Sequence, residues 1–575
     1  MADIGKVLRE RLAAAFETVT GSTVDPALRR SRHADFQADG ALGRPDARAV
    51  AAAVVAAADL GDLCANVSVS GPGFINLTLA GGALAQWLAA AAADPRLGVS
   101  TVEPETVVVD YSGPNAAKEM HVGHLRSTVI GDAAVRVLEF LGHTVIRQNH
   151  LGDWGTNFGM LVEHLRDGGV LDPGDMSAFY AAARRRFEAD SDFQERARRR
   201  VLLLQAGDVD TIEQWRTVVE ISRVYLMSVY DRLDVRLRET DFAGESTYSG
   251  ALDDVVAELS AKGLLRESDG ALCAFPEGFP SPLVVRKRDG GYGYAATDLA
   301  ALRYRTQELH ATRLLYVIGT PQRHHLEMVF AVARAAGWLV PPARAQHIAF
   351  GSVLGTDGKM LRTRAGGAIK LTALLDEAVA RADDPAIGIG ALKYADLSND
   401  RIKDYTFDFD RMLALSGDTA PYLQYAHVRV RSIFRKGNVD VPIAAFTVTH
   451  PAEHALALEL LEFPGIVREA GETLAFHRLT AHLHAVAVAF SAFFEQCPVL
   501  RAQGPVRESR LALCGLTART LQVGLDLLGI DVPERMLHRA PTLSAATVRR
   551  PLAPGSPESP RGNAERDASH TSCTP

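Results

Sequence analysis

Two short stretches hold residues suited to phosphate chemistry. The first is His121-Val-Gly-His124, placed where a strand-like run gives way to a helical one. A helix start presents unpaired N–H groups and the positive end of its dipole. Two imidazoles there can donate hydrogen bonds to phosphate oxygens, and Gly123 lets a nucleotide come close to the backbone. The chemistry suggested is nucleotidyl transfer, in which a carboxylate attacks the α-phosphate of ATP and the site stabilises the added charge. The second stretch is Gly355-Thr-Asp-Gly-Lys-Met-Leu-Arg-Thr-Arg-Ala-Gly-Gly367, a glycine-bounded loop carrying Lys359, Arg362 and Arg364. Such a loop can close on a leaving pyrophosphate. Taken singly, each is weak: a four-residue pattern recurs by chance, and a basic turn is ordinarily just solvated.

The surrounding pattern supplies elements that could position both. Thr106–Asp110 has three consecutive valines, as in a parallel strand buried on both faces. A polar loop over 111–120 leads to a helix over 124–141, Gly142 can end it, and Thr144–Gln148 reads as a strand. This strand–loop–helix–strand unit opens a doubly wound α/β sheet. Further strands are expected over 282–286, 314–318 and 347–354. Residues 171–245 are helical and heavily charged, an insertion in the sheet. From about 400 to 536 the apolar spacing predicts helices alone, over 420–435, 453–462, 477–494 and 508–529. Residues 1–90 predict a small α+β domain: a helix over 1–20, the segment 33–40, an Ala-rich helix, and strands over 66–70 and 74–79. Residues 92–105 read as a linker. Residues 537–575 are rich in Pro, Ser, Arg and Gly, and a disordered tail is expected there.

Composition narrows the class. A chain of 575 residues needs several domains, and 47% hydrophobic with 23% charged residues is ordinary for a soluble protein. The five cysteines include no CxxC pair and no zinc spacing, so reduced thiols, a cytoplasmic location and no protein-bound metal are expected. Apolar runs are too short to span a bilayer, so no membrane partner is expected. A net charge of −7 argues against a protein that coats nucleic acid but leaves room for a local basic face.

The two loops together, one after the first strand of an α/β domain and one after a late strand, resemble the paired signature of class I aminoacyl-tRNA synthetases. The resemblance is narrower still in Ser112-Gly-Pro-Asn-Ala-Ala-Lys-Glu-Met-His-Val-Gly-His-Leu-Arg-Ser127, Arg147-Gln-Asn-His-Leu-Gly-Asp-Trp-Gly-Thr156, Gly244-Glu-Ser-Thr-Tyr248, Tyr294-Ala-Ala-Thr-Asp-Leu-Ala300, Asp418-Thr-Ala-Pro-Tyr-Leu-Gln-Tyr-Ala426 and the run Gly524 to Met536. These are similar to the arginyl family over roughly residues 1–536. The resemblance implies a Rossmann-like class I catalytic domain over 105–400 with the 171–245 insertion, an N-terminal tRNA-contacting domain over 1–90, and an all-α anticodon-binding domain over 401–536.

It also implies roles. Asp298 holds the guanidinium of arginine, because a carboxylate accepts two parallel bonds from that planar fork. Asp110 adds a second negative charge, Tyr294 walls the same group, and Asn115 and Gln322 take the amino and carboxylate end. His121, Gly123 and His124 hold ATP, with magnesium on its phosphates, aided by Lys118, Lys359, Arg362 and Arg364. Phe36 and Gln37 touch the D-loop corner of the tRNA, and Tyr425 and Arg429 serve the anticodon side. A monomer is expected. Three departures stand out. Thr363 occupies the usual second lysine of the basic loop, with Lys118 compensating. Gly319-Thr-Pro321 replaces an acidic position. Asp418 stands where Asn is usual. The reaction implied is arginine–tRNA ligation through arginyl-adenylate. A paralogue with a resistance role, or one serving another arginyl acceptor, is the alternative.

Overall fold

The computed structural model describes residues 4–172, 174–362, 368–440 and 445–536, apart from the side chain of Thr156. Thr363, Arg364 and the expected tail over 537–575 therefore lie outside the described residues.

The central sheet has four parallel strands in the order Arg344–His347, Arg313–Tyr316, Thr106–Asp110 and Thr144–Gln148. Val107, Val108 and Val109 are fully buried, as a strand covered on both faces requires. The helix Val122–Phe140 follows, and every residue from Leu125 to Leu138 on it is buried. It is buried all round because it packs on the sheet and also on the C-terminal helices Pro451–Thr473 and Gly504–Leu527. Gly131 permits this: a Cβ there would sit 2.3 Å from the ring of Tyr111. Gly142, at φ +98°, ends the helix in a conformation that L side chains avoid.

The later strands differ from the expectation. The run over 347–354 is two strands, Arg344–His347 and Val353–Leu354, separated by irregular chain. Its middle supports a neighbouring turn instead of a sheet. The Phe350 carbonyl accepts from both Thr320 N and Thr320 Oγ1, fixing the short 3-10 turn Thr320–Gln322. A three-stranded antiparallel sheet, Leu265–Ser268, Ala271–Ala274 and Leu283–Arg286, includes a hairpin that the apolar pattern did not single out.

The insertion is three helices, Met176–Ala189, Ser191–Gln205 and Val209–Arg232, each capped by an aspartate: Asp175, Asp190 and Asp208. Several of its arginines pair with acids, among them Arg184 with Glu188 at 2.6 Å and Arg200 with Glu163 at 2.9 Å. The C-terminal region has four long helices, Ala420–Gly437, Pro451–Thr473, Phe476–Gln496 and Gly504–Leu527, preceded by the short strand Tyr405–Thr406. Pro464, just past the expected end at 462, does not stop the second of these; it lies buried within it.

In the N-terminal domain the antiparallel strands run in the order Leu28–Arg30, Phe36–Ala38, Phe74–Leu79, Cys64–Ser70. The helix Gly81–Ala93 follows and crosses the expected boundary at 90. The domain is tied to helix Pro451–Thr473 by Asp35 to His454 at 2.9 Å and by Arg30 to Glu459 and Glu462 at 3.2 and 2.9 Å.

Candidate active site

The cleft lies at the carboxyl ends of the central strands, where doubly wound sheets bind their ligands. His121 is the N-cap of helix Val122–Phe140, and its Nδ1 accepts from Gly123 N at 3.1 Å. His124 Nδ1 accepts in turn from His121 N at 3.0 Å. An Nδ1 that accepts a backbone N–H carries no proton in the neutral ring, so both rings keep theirs on Nε2. Burial, with the charge of Lys118, lowers the pKa of His121, and burial, reinforced by His121 and Lys118, lowers that of His124 to about 3. Two neutral Nε2–H donors therefore stand side by side, their ring centroids 3.9 Å apart. Gly123 serves the cap: a Cβ there would press on the His121 ring at 2.9 Å.

The basic loop is tied to this turn. Its first half folds on itself, with Gly355 N donating to Lys359 O at 2.8 Å and Leu354 bridging to Met360. Past it the chain runs antiparallel to the histidine turn: Val122 N donates to Ile369 O at 3.2 Å and Leu371 N to Met120 O at 2.8 Å, with His121 bridged to Lys370. Lys359 and Arg362 are exposed. Lys118 lies 4.0 Å from the ring centroid of Tyr180 in the insertion. Lys370, which carried no expected role, pairs with Glu119 at 2.8 Å beside the turn.

At the other end of the cleft, Asp298 lies on helix Tyr294–Gln307, four residues after Tyr294. Its Oδ2 lies 2.6 Å from His325 Nε2 and its Oδ1 3.6 Å from His150 Nε2. Tyr294 is exposed and meets the His325 ring edge-on, centroids 5.3 Å apart. Gln322 is exposed at the end of the Thr320–Gln322 turn, three residues before His325. Asn115 is exposed too, and its backbone bridges to Gly152.

Asp110 departs from its expected role. It is 4% exposed and forms an ion pair with the buried Arg305 at 2.9 Å. Arg305 also donates from Nε to Gln148 Oε1 at 2.5 Å and lies over the Tyr316 ring at 5.0 Å. This guanidinium already neutralises Asp110, because a buried carboxylate left unpaired would cost several kcal/mol, on the order of 3–5. Both Asp110 and Asp298 act on the buried Tyr316 hydroxyl, whose pKa burial pushes up to about 12. Two more acids reach this end of the cleft, although the sequence suggested no role for them. Asp153 is held by Ser246 N at 2.9 Å and Ser246 Oγ at 2.6 Å. Glu245 is raised to about 8 by burial and by the charges of Asp298 and Asp153. Their signal in the sequence was their place in the two motifs around 150 and 245.

Most of the chain resembles known proteins in a consistent way. Residues 88–409 match the family described as class I tRNA synthetases (R), catalytic domain; residues 423–536 match the DALR anticodon binding domain; residues 2–79 match the arginyl tRNA synthetase N-terminal domain. The chain is 51% identical to the arginine–tRNA ligase of Thermobifida fusca, over 93% of this chain and 100% of that one. This chain belongs to the arginyl-tRNA synthetase family. The synthetase is 50% identical to the arginine–tRNA ligase of Frankia casuarinae, over 89% of this chain and 95% of that one. Its fold matches the Plasmodium falciparum arginyl-tRNA synthetase at a TM-score of 0.82 and 28% identity, covering 93% of this chain and 100% of that one. The Thermus thermophilus enzyme matches at 0.78 and 26%, with the same coverage.

The tRNA-side residues are placed less favourably. Phe36 is 5% exposed, in the core of the N-terminal domain, and offers no free face for stacking. Its strand is buried at all three positions, although Gln37, on the face opposite Phe36, still lines a surface pocket. Gln37 is accordingly buried as well: Nε2 donates to Asn76 at 2.7 Å, and Oε1 accepts from Arg29 at 2.5 Å. Arg29, Arg32, His33 and Phe74 line the pocket above it. Tyr425 is half-buried, and Arg429 stacks on Phe494 at 4.4 Å. Arg431, Arg435 and Lys436 are the exposed cations of helix Ala420–Gly437. Asp418 accepts from Tyr394 OH at 2.5 Å, a bond that Asn could also accept.

Proposed function

We propose that this cleft performs the arginine–tRNA ligase reaction of its family, in two steps divided between its two ends. Arginine carboxylate attacks the α-phosphate of ATP, giving arginyl-adenylate and pyrophosphate. The 2′-hydroxyl of the terminal tRNA adenosine then attacks the adenylate, giving arginyl-tRNA and AMP. His121 and His124 donate Nε2–H bonds to the phosphate in the transition state, and Lys118, Lys359, Arg362 and Arg364 neutralise the leaving pyrophosphate. Asp298 accepts the guanidinium, with Tyr294 against it, while Asn115 and Gln322 take the amino and carboxylate groups. Asp110 contributes through Arg305, shaping the pocket floor rather than adding free charge.

One observation carries this reading: the pairing of 369–371 with 120–122 delivers the basic loop to the histidine donors. Magnesium enters on the triphosphate. Among the described residues, the only cluster able to hold an ion is Glu459, Glu462 and His482, among the C-terminal helices and already engaged by Arg30. No helix of the described residues is long and apolar enough to cross a membrane. A cytoplasmic monomer is proposed on the family resemblance alone. All three domain models match, which leaves the alternative acceptor or resistance role without a supporting feature.

The test is aminoacylation of total tRNA with labelled arginine, lysine being the control. Charging with arginine alone supports the assignment, and charging with lysine at a comparable rate refutes it. Pyrophosphate exchange with and without tRNA then decides whether activation needs tRNA, as it generally does in this family.

A further inference from the structure

Arg126 stands two residues after His124 on helix Val122–Phe140 and is fully buried. Its Nε faces the buried Asp396 of helix Pro385–Leu397, at 3.2 Å from Oδ2 and 3.3 Å from Oδ1. Nη1 donates to Lys403 O at 3.1 Å and Nη2 to Arg401 O at 3.3 Å. The guanidinium also lies against the rings of Tyr405 and Phe350, 5.1 and 5.8 Å from their centroids. A position that needed only packing could take an apolar side chain and avoid the desolvation of a cation. A planar fork with a partner for each nitrogen does more: it fixes where those partners stand relative to its own helix.

The partners lie at the root of the basic loop. Gly351 N donates to Arg401 O at 2.9 Å, and Tyr405 N to Ser352 O at 3.2 Å. The exposed Asp404 accepts from Ser352 N at 2.5 Å, and a Cβ on Gly351 would lie 2.6 Å from the same carboxylate oxygen. Past this joint, Val353 and Leu354 pair in parallel with Tyr405 and Thr406. Leu354 then bridges to Met360 across the hairpin that carries Lys359. The far end of the loop is fixed to the histidine turn by the pairing of 369–371 with 120–122. Arg126 ties the near end to the same helix through residues 401–405.

We propose that Arg126 is a positioning residue for the basic loop: through residues 401–405 it sets the root of the loop against the helix that the two histidines begin, so that Lys359 and Arg362 reach the phosphates they neutralise. The proposal rests on the reading of that loop as the pyrophosphate clamp. Arg126 touches no substrate in it, and no bond is made or broken at this side chain. A displacement of about 1 Å at the root, carried to the loop's cations, costs up to roughly a hundredfold in rate.

The experiment is pyrophosphate exchange by the full chain in the presence of tRNA. Arg126→Lys keeps a cation for Asp396 but loses the fork, and should lower kcat about tenfold or more with KM for arginine unchanged. Asp404→Ala opens the same joint from an exposed position and should do likewise, while Asp404→Asn keeps the acceptor for Ser352 N and should restore the rate. Each change is repeated in Lys359→Ala/Arg362→Ala. Residues that act through one loop are non-additive, so neither change should slow that background by more than about twofold. Losses that multiply there, as a general loosening of the fold predicts, overturn the proposal. So does a parental kcat in either Arg126→Lys or Asp404→Ala, or an Asp404→Asn protein no faster than Asp404→Ala. Should Arg126→Lys fold poorly, the Asp404 pair in both backgrounds decides alone. If Lys359→Ala/Arg362→Ala by itself turns over at the parental rate, the reading of the loop falls, and the positioning role falls with it.

Discussion

Burial acts on both ends of this cleft and leaves opposite kinds of group uncharged. At the phosphate end it lowers the pKa of His124 to about 3, leaving a neutral donor. At the amino-acid end it raises that of Glu245 to about 8, leaving a neutral acid. A third arrangement is the pair of Asp110 with the buried Arg305, 2.9 Å apart. The difference is one of partners. Where the fold provides a counter-ion, the carboxylate is paired; where burial dominates without one, the uncharged form is favoured. At the phosphate end Lys118 acts on both histidines, while Lys359 and Arg362 stand exposed on the loop after Val353–Leu354.

The largest expected effect tests the permanent pair. Arg305→Met leaves Asp110 buried without a counter-ion and should cost about 3–5 kcal/mol of stability, read by denaturant unfolding. A loss under 1 kcal/mol would mean that Asp110 is open to solvent or substrate after all. Next come the two ends. His124→Ala removes a transition-state donor and should lower kcat by about 10²–10³-fold, with little change in KM for arginine. Asp298→Asn should instead raise that KM by roughly tenfold to a hundredfold, the worth of a charge-assisted hydrogen bond. If each variant moved the other's parameter, the division of labour would be wrong.

A subtler test concerns protonation. With a pKa depressed far below 6.5, His124 stays neutral throughout pH 5–8, so kcat should show no break near 6.5 from this ring. A break there that vanishes in His124→Asn would show a cationic donor. The smallest effect lies outside the cleft. Asp418→Asn keeps an acceptor for Tyr394 OH and should shift stability by less than about 1 kcal/mol.

Much of this was legible in the residues. The strands Thr106–Asp110, Thr144–Gln148 and Phe74–Leu79 follow from short β-branched or alternating runs. The four C-terminal helices follow from 3.6-residue spacing. The departures also have causes. Residues 347–354 look like one strand because apolar content does not reveal that the Phe350 carbonyl is needed by Thr320. Phe36 looks like a stacking residue because side-chain type does not say which face of a strand it occupies. Helix Pro451–Thr473 outruns its apparent limit because Pro464 is accommodated inside the packed bundle.

The sequence by itself determined the family, the two loops proposed to bind phosphate and the residue types proposed for the arginine pocket, because those rest on local spacing and on motifs contiguous in the chain. Only the tertiary structure decided which charges are free. Arg305 lies 195 residues from Asp110, and His150 faces Asp298 from a different element of the chain. A charge's state depends on its distance to other charges and on the water excluded around it, and neither is written in the order of residues.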